Sequence, residues 1–155
     1  MNKIKIIFIT FFLFLFLNSC GYTPQYAKNN NINFSIDLKT ISGDRDFNNS
    51  LKSKLNRYSK KNDDINKNFE ISAISKYNKS ITLRDNAGLA TEYELEIVVE
   101  FFIQNNDNEK KLTLKEKFNM KKMSDSFEES SYEKTIKNNF ANIIKEKLIS
   151  YLFKL

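Results

Sequence analysis

The chain has 155 residues and a mass of 18.3 kDa, which is enough for one domain of ordinary size. It contains no histidine, one cysteine and three glycines. These counts exclude Ser-His and Cys-His catalysis, histidine-ligated zinc, internal disulfides and a glycine-rich phosphate loop. A binding, structural or assembly protein remains, or an unusual hydrolase built on carboxylates or a Ser-Lys pair. We expect no enzyme activity, no cofactor and no metal.

The excess of basic residues is only partly evidence about function. Lysine and arginine number 25 against 19 acidic residues, so the formal net charge is +6. Abundant Asn, Lys and Ile, whose codons are rich in A and T, indicate an AT-rich genome. Part of the charge therefore reflects codon usage, and the lysine count alone is weak evidence for an anionic partner.

The N-terminus has the pattern of an export signal. Lys3 and Lys5 precede an apolar run over residues 6–17. A helix needs about 20 apolar residues to span a membrane, so this run is too short for one. Cys20, the only cysteine, lies three residues after the run, within a Leu-Asn-Ser-Cys sequence that resembles a bacterial lipobox. In that motif the cysteine sulfur receives a diacylglycerol and the residues before it are removed.

We therefore predict a signal peptide over residues 1–19 and a lipidated polar tether over residues 20–31 that starts at Cys20. The alternative is a buried or free cysteine beside an ordinary cleavage site. Acyl chains on Cys20 would hold the protein on a membrane without a spanning helix. Bacterial lipoproteins kept at the inner membrane often carry Asp after the cysteine, so Gly21 favours the periplasmic side of the outer membrane.

The first elements after the tether are a strand and a helix. Apolar and polar residues alternate over 32–38, as in a half-buried strand. Residues 42–44 form a turn with a possible helix cap, and an apolar stripe at helical spacing predicts a short amphipathic helix over 44–60.

Three further strands and a final helix follow. A strand over 69–83 contains a polar stretch at 75–80 that is expected to bend or to project past the sheet. The clearest strand covers 93–103, and a hairpin loop at 104–109 leads to a return strand over 112–120. Ser130 and Glu133 fit a capping box for the final helix, whose apolar stripe continues to Leu152.

The order is therefore β-α-β-β-β-α over residues 32–155. One face of the sheet is apolar, and each helix has one apolar face. The cheapest way to bury these faces is to pack both helices on the apolar face of the sheet, which predicts an α+β two-layer sandwich: a four-stranded sheet with two helices packed on one face.

Two short stretches resemble the LPS-assembly lipoprotein LptE family: residues 80–85 (SITLRD) and residues 90–95 (ATEYEL). The signal peptide, the lipobox, Pro24 close behind Cys20 and the order of elements are also similar to that family. The resemblance implies a protein that catalyses no reaction and sits inside the outer-membrane β-barrel LptD. There it would help the barrel to assemble and help to place lipopolysaccharide in the outer leaflet.

The resemblance also implies lipopolysaccharide-binding residues. Arg84 matches an arginine of the family motif, and arginine suits phosphate because its planar fork donates two parallel hydrogen bonds. A second cation comes from the family's return strand, here Lys115 or Lys117. The alternatives are a solvated or salt-bridged turn residue for Arg84, with Asp85 or Glu92 as partner, and an ordinary polar strand face for the lysines.

Other surface features have plainer interpretations. The glutamates that alternate along 92–100 are interpreted as a solvated face, not as paired catalytic carboxylates. Val98 and Phe102 share that face and are candidate partner contacts, because exposed apolar residues can mark an interface. Basic residues along the first helix are interpreted as a solvated face, since an exported lipoprotein does not meet nucleic acid. The main alternative function is a pilot or scaffold lipoprotein for another envelope complex such as a secretin.

Overall fold

The computed structural model describes residues 34–59, 67–105 and 108–155. Four strands and two α-helices follow one another in the predicted order. The strands are β1 (Phe34–Ser42), β2 (Lys67–Arg84), β3 (Ala90–Asn105) and β4 (Asn108–Lys121), and the helices are α1 (Arg45–Leu55) and α2 (Ser126–Leu152).

The sheet has the spatial order β1-β2-β3-β4. β1 and β2 are parallel, because α1 lies between them in sequence and carries the chain back along the sheet. β2, β3 and β4 are successive antiparallel strands. The α+β fold with a four-stranded sheet and two helices is therefore confirmed.

The core lies between the helices and one face of the sheet. Along β3 the odd-numbered residues face this core, and their even-numbered neighbours face the other side. Each buried aliphatic or aromatic side chain contributes about 1.5–3 kcal/mol relative to an exposed one. The largest fully buried side chains are Phe47, Phe69, Phe101, Ile36, Leu51, Leu55, Ile71, Leu95, Ile97, Ile103, Met120 and Ile144.

The polar stretch at 75–80 does not bend. The register of β1 with β2 ends at Ser42, the last residue of β1. The polar stretch continues β2 beyond that point, and from there to Arg84 β2 pairs with β3 alone. The inward side chains Tyr77 and Lys79 satisfy their polar groups on α2, so polarity here marks an interface and not a break.

The predicted capping box of the final helix is wrong. α2 starts at Ser126, and the carboxylate of Asp125 accepts hydrogen bonds from the backbone N–H groups of Phe127 (2.7 Å) and Glu128 (2.9 Å). Ser130 therefore lies inside the helix and is exposed.

The predicted cap of the first helix is confirmed, because Asp44 Oδ1 accepts from the Phe47 N–H at 2.9 Å. This helix is shorter than predicted: α1 ends at Leu55, and a single 3₁₀ turn over Asn56–Tyr58 follows.

The predictions for the signal peptide, Cys20 and the tether lie outside the described residues. Within 34–59, 67–105 and 108–155, neither helix is long and apolar enough to cross a membrane.

Candidate functional site

The hairpin between β2 and β3 carries Arg84 at a rigid turn. Asp85 Oδ1 accepts from the backbone N–H groups of Ala87 (2.9 Å) and Leu89 (2.8 Å). The Gly88 N–H donates to the Asp85 carbonyl at 3.0 Å, and Gly88 has φ +81°, which glycine adopts without a Cβ penalty. The turn therefore holds the end of β2 in one conformation.

The Arg84 side chain is exposed at this turn. Its Nη1 donates to the Gly88 carbonyl oxygen at 2.7 Å. Neither Asp85 nor Glu92 forms the salt bridge considered as an alternative; Glu92 instead accepts from the Thr82 hydroxyl at 3.3 Å. The remaining guanidinium N–H groups point to no protein acceptor in the described residues and can meet an anion.

Lys115 and Lys117 lie further along the sheet. In the strand register, Lys117 lies opposite Glu96 of β3 and Lys115 lies opposite Val98. Arg84 of β2 lies opposite Ala90 of β3. At a rise of about 3.4 Å per residue, Lys117 is about 20 Å from Arg84 along the strands. The structure therefore does not bring these lysines to Arg84.

Both lysines are bound to glutamates of β3. Lys115 Nζ lies 2.7 Å from Glu96 Oε2, and Lys117 Nζ lies 2.6 Å from Glu94 Oε1 and 3.1 Å from Glu96 Oε2. Hydrogen bonds from Lys115 and then Lys117 hold the pKa of Glu96 below its usual value, and those to Glu94 and Glu96 raise the pKa of Lys117. Glu96 is therefore held as an anion, contrary to what a general acid requires.

Two other lysines do lie beside the hairpin. Lys121 is opposite Glu92 in the β3–β4 register, and the Lys122 N–H donates to the Thr91 carbonyl at 2.9 Å. Both side chains are exposed, and in the described ranges neither has a carboxylate oxygen within 4.0 Å. Sequence reasoning missed them; the antiparallel register counted back from the β3–β4 hairpin is the signal that places them.

The same end of the sheet exposes apolar side chains. Ile81 is 43 % exposed, Leu83 is 55 % exposed and Leu89 is 61 % exposed. Phe127, in the first turn of α2 just beyond Lys122, is 81 % exposed. Cations and apolar groups side by side suit a ligand that is itself both anionic and apolar.

Val98 and Phe102 lie on the sheet face that the two helices leave uncovered. Both are partly buried, and Ile74 on the neighbouring strand is 50 % exposed. Lys111 Nζ lies 5.5 Å from the centroid of the Phe102 ring and 2.9 Å from Glu100. The result is a small apolar patch framed by ion pairs.

Residues 34–59, 67–105 and 108–155 contain no candidate metal site. No group of three or more acidic or cysteine side chains there is close enough to hold an ion. On the uncovered face Glu94, Glu96 and Glu100 are paired with lysines of β4.

No protein-family model matches the sequence, and no curated protein does. Solved structures do match. The crystal structure of rare lipoprotein B from Shewanella oneidensis superposes with a TM-score of 0.54 at 15 % identity, covering 76 % of this chain and 98 % of that one. This chain has the fold of rare lipoprotein B. The solution structure of uncharacterized lipoprotein B from Nitrosomonas europaea gives a TM-score of 0.46 at 14 % identity, covering 78 % and 88 %.

Proposed function

We propose that this chain is an outer-membrane lipoprotein of lipopolysaccharide transport. It sits within a β-barrel of the LptD type, helps that barrel to assemble and binds lipopolysaccharide on its way to the outer leaflet. The observation that carries the proposal is that Arg84, Lys121 and Lys122 lie at the same end of the sheet, which also exposes apolar side chains.

The chemistry of lipopolysaccharide matches that end of the molecule. Its lipid part presents phosphates on a sugar core next to acyl chains. Arg84 offers a planar donor fork to phosphate oxygens, and Lys121 and Lys122 add point charges. The Asp85 turn already fixes the backbone at Arg84, so little further ordering of the hairpin is needed on binding.

The lipoprotein interpretation has two supports. The lipobox supplies an acylation site at Cys20, and the fold is shared with a protein named as a lipoprotein. Gly21 after the cysteine supports the outer membrane as the destination.

The partner surface is proposed to be the uncovered face of the sheet. Ile74, Val98 and Phe102 provide apolar contact area there, and the ion pairs of Lys111 and Lys115 surround it. A protein wall around the domain would cover this face.

Arg84→Asp is expected to weaken binding of purified lipopolysaccharide by about tenfold to a hundredfold. A charge-assisted hydrogen bond contributes about 1.5–3 kcal/mol, and the new carboxylate repels phosphate. Affinity is measured at fixed salt, and circular dichroism checks the fold. The matched control is Arg57→Asp, the same charge change on an exposed residue near Phe34, at the other end of β2. Equal affinities for wild type and Arg84→Asp would remove Arg84 from the site.

Paired lysine variants distinguish the two sets of cations within that assay. Alanine at Lys121 and Lys122 is expected to weaken binding several-fold, because both side chains are exposed at the same end of the sheet as Arg84 and have no carboxylate oxygen within 4.0 Å in the described part of the chain. Alanine at Lys115 and Lys117 is expected to change affinity little, since both lysines are already bound to glutamates. A larger loss of affinity in the Lys115 and Lys117 variant would instead support those two lysines as the lipopolysaccharide-binding residues.

A further inference from the structure

Helix α2 is attached to the rest of the fold in two different ways. From Ile136 onward it buries apolar side chains in the core, and these are Ile136, Phe140, Ala141, Ile144, Leu148, Ile149 and Leu152. Over residues 126–135 no side chain is buried. The first turns of the helix therefore gain almost none of the apolar burial that fixes its remainder.

An ionic cluster holds these first turns in place. Lys79 Nζ lies 2.9 Å from Glu129 Oε1 and 3.0 Å from Glu133 Oε2. The Tyr77 hydroxyl donates to Glu133 Oε1 at 2.8 Å, and Glu129 Oε2 accepts from the Met123 N–H at 3.1 Å. Two carboxylates thus connect β2, the β4–α2 connection and α2.

The cluster is partly shielded from water. The side chains of Lys79, Glu129 and Glu133 are 27 %, 15 % and 20 % exposed. Burial and then the hydrogen bond to Glu133 raise the pKa of Tyr77, which keeps its hydroxyl a donor. Burial alone would lower the pKa of Lys79, but its bonds to Glu129 and Glu133 raise it.

A second ion pair marks the boundary of the segment. Lys137 Nζ lies 2.8 Å from Asp44 Oδ2, the cap of α1, and 4.0 Å from the centroid of the Tyr77 ring. Its side chain is 11 % exposed. Lys137 and Ile136 therefore fix α2 just after Thr135.

We propose that residues 126–135 open and close as a unit, separately from the rest of the domain, and that the bonds from Lys79 to Glu129 and Glu133 set this equilibrium. Segments with few buried apolar contacts open at a lower free energy than the core, and salt weakens the ion pairs that close this one. The Tyr77 hydroxyl, the Met123 amide and Lys137, whose Nζ lies 3.9 Å from Glu133 Oε1, also contact the two carboxylates, and none of these contacts depends on which ligand the protein binds.

Opening changes the surface beside Lys122. It separates the rings of Tyr132 and Phe118, whose centroids are 6.3 Å apart, and frees the Lys79 ammonium from both carboxylates. It also releases the Met123 amide, so the connection that follows Lys122 loses its tie to Glu129. Opening of residues 126–135 thus enlarges the aromatic and cationic surface that is already partly exposed here.

Hydrogen exchange of the full-length acylated protein in detergent tests this proposal. The first amides of α2 have no intrahelical partner, so residues 130–135 are compared with residues 140–150. In wild type we expect residues 130–135 to exchange at least about tenfold faster, and faster again when salt rises from about 0.05 to about 0.5 M. Residues 140–150 should not respond to salt.

Variants assign the effect to the cluster. The double change Glu129→Gln and Glu133→Gln is expected to speed exchange at 130–135 by about a further tenfold. Glu146→Gln, at an exposed glutamate later in α2, should leave it unchanged. Equal protection of both stretches in wild type, or no response to both salt and the double change, would overturn the proposal. If the double variant unfolds as a whole, the wild-type salt response decides.

Discussion

Replacing Gly43 with alanine is expected to destabilise the domain by about 3 kcal/mol or more. Gly43 has φ +109°, a conformation that residues with a Cβ adopt only at a cost of about 1–2 kcal/mol. A Cβ at this position would also lie 1.8 Å from the Ser75 carbonyl oxygen, so the backbone of β2 must shift. Overpacking of this kind costs about 1–3 kcal/mol more.

The contact matters because Ser75 joins three parts of the fold. Its hydroxyl accepts from the Asp44 N–H at 3.0 Å and donates to Asn48 Oδ1 at 2.7 Å. Ser75 is 4 % exposed and Asn48 is 7 % exposed, so neither group can turn to water instead. A displaced Ser75 therefore weakens the start of α1 as well as the sheet.

Thermal unfolding measures the effect. A loss of about 3 kcal/mol lowers Tm by roughly 10 °C in a domain of this size. Gly88→Ala is the control: its φ is +81°, but within the described ranges an added Cβ would have no atom within 4 Å apart from its chain neighbours. Only the backbone cost of about 1–2 kcal/mol therefore applies. Equal Tm values for the two variants would show that the contact with Ser75 does not constrain position 43.

Cys20→Ala is expected to abolish acylation and remove the protein from the outer-membrane fraction. One acyl chain gives marginal, reversible binding, whereas two or more hold a protein stably, at about 0.8 kcal/mol per buried methylene. Without the thiol no chain can be attached. The position lies outside the described residues, so the expectation comes from the sequence.

Fractionation and intact-mass measurement check this. The wild-type chain should start at Cys20 and carry the added mass of its acyl groups, and Ser19→Ala, which keeps a small residue before the cysteine, should behave in the same way. A mature wild-type chain with an unmodified thiol would contradict the lipoprotein interpretation.

The sequence predicts the fold because its periodicities are clear. Alternation over 93–103 matches the middle of β3, and the stripe that ends at Leu152 matches the buried face of α2. Once each element has one apolar face, a two-layer arrangement is the only economical way to bury them all.

Strand register is what the sequence does not reveal directly. The β3–β4 hairpin was predicted with a loop at 104–109, but Asn105 already pairs with Asn108. This tighter hairpin places Lys115 and Lys117 beside glutamates and brings Lys121 to the β2–β3 hairpin. A polar strand face and a binding site look alike until register decides which charges neutralise each other.

The ionic cluster under α2 was also missed. Tyr77 and Lys79 lie in a polar stretch that suggests solvent or a bend, and Glu133 was assigned to a capping box. Their actual partners are distant in sequence and lie on another element. Local pattern therefore gives no sign of such contacts.

The proposed function requires an acylated chain that works inside a large β-barrel. Purification of the tagged full-length chain from the outer membrane in mild detergent, with native mass and identification of every component, tests this requirement. We expect one large β-barrel protein at equal stoichiometry, with lipopolysaccharide bound. Recovery of the chain alone, or together with a ring of many identical subunits as a secretin would give, would contradict it.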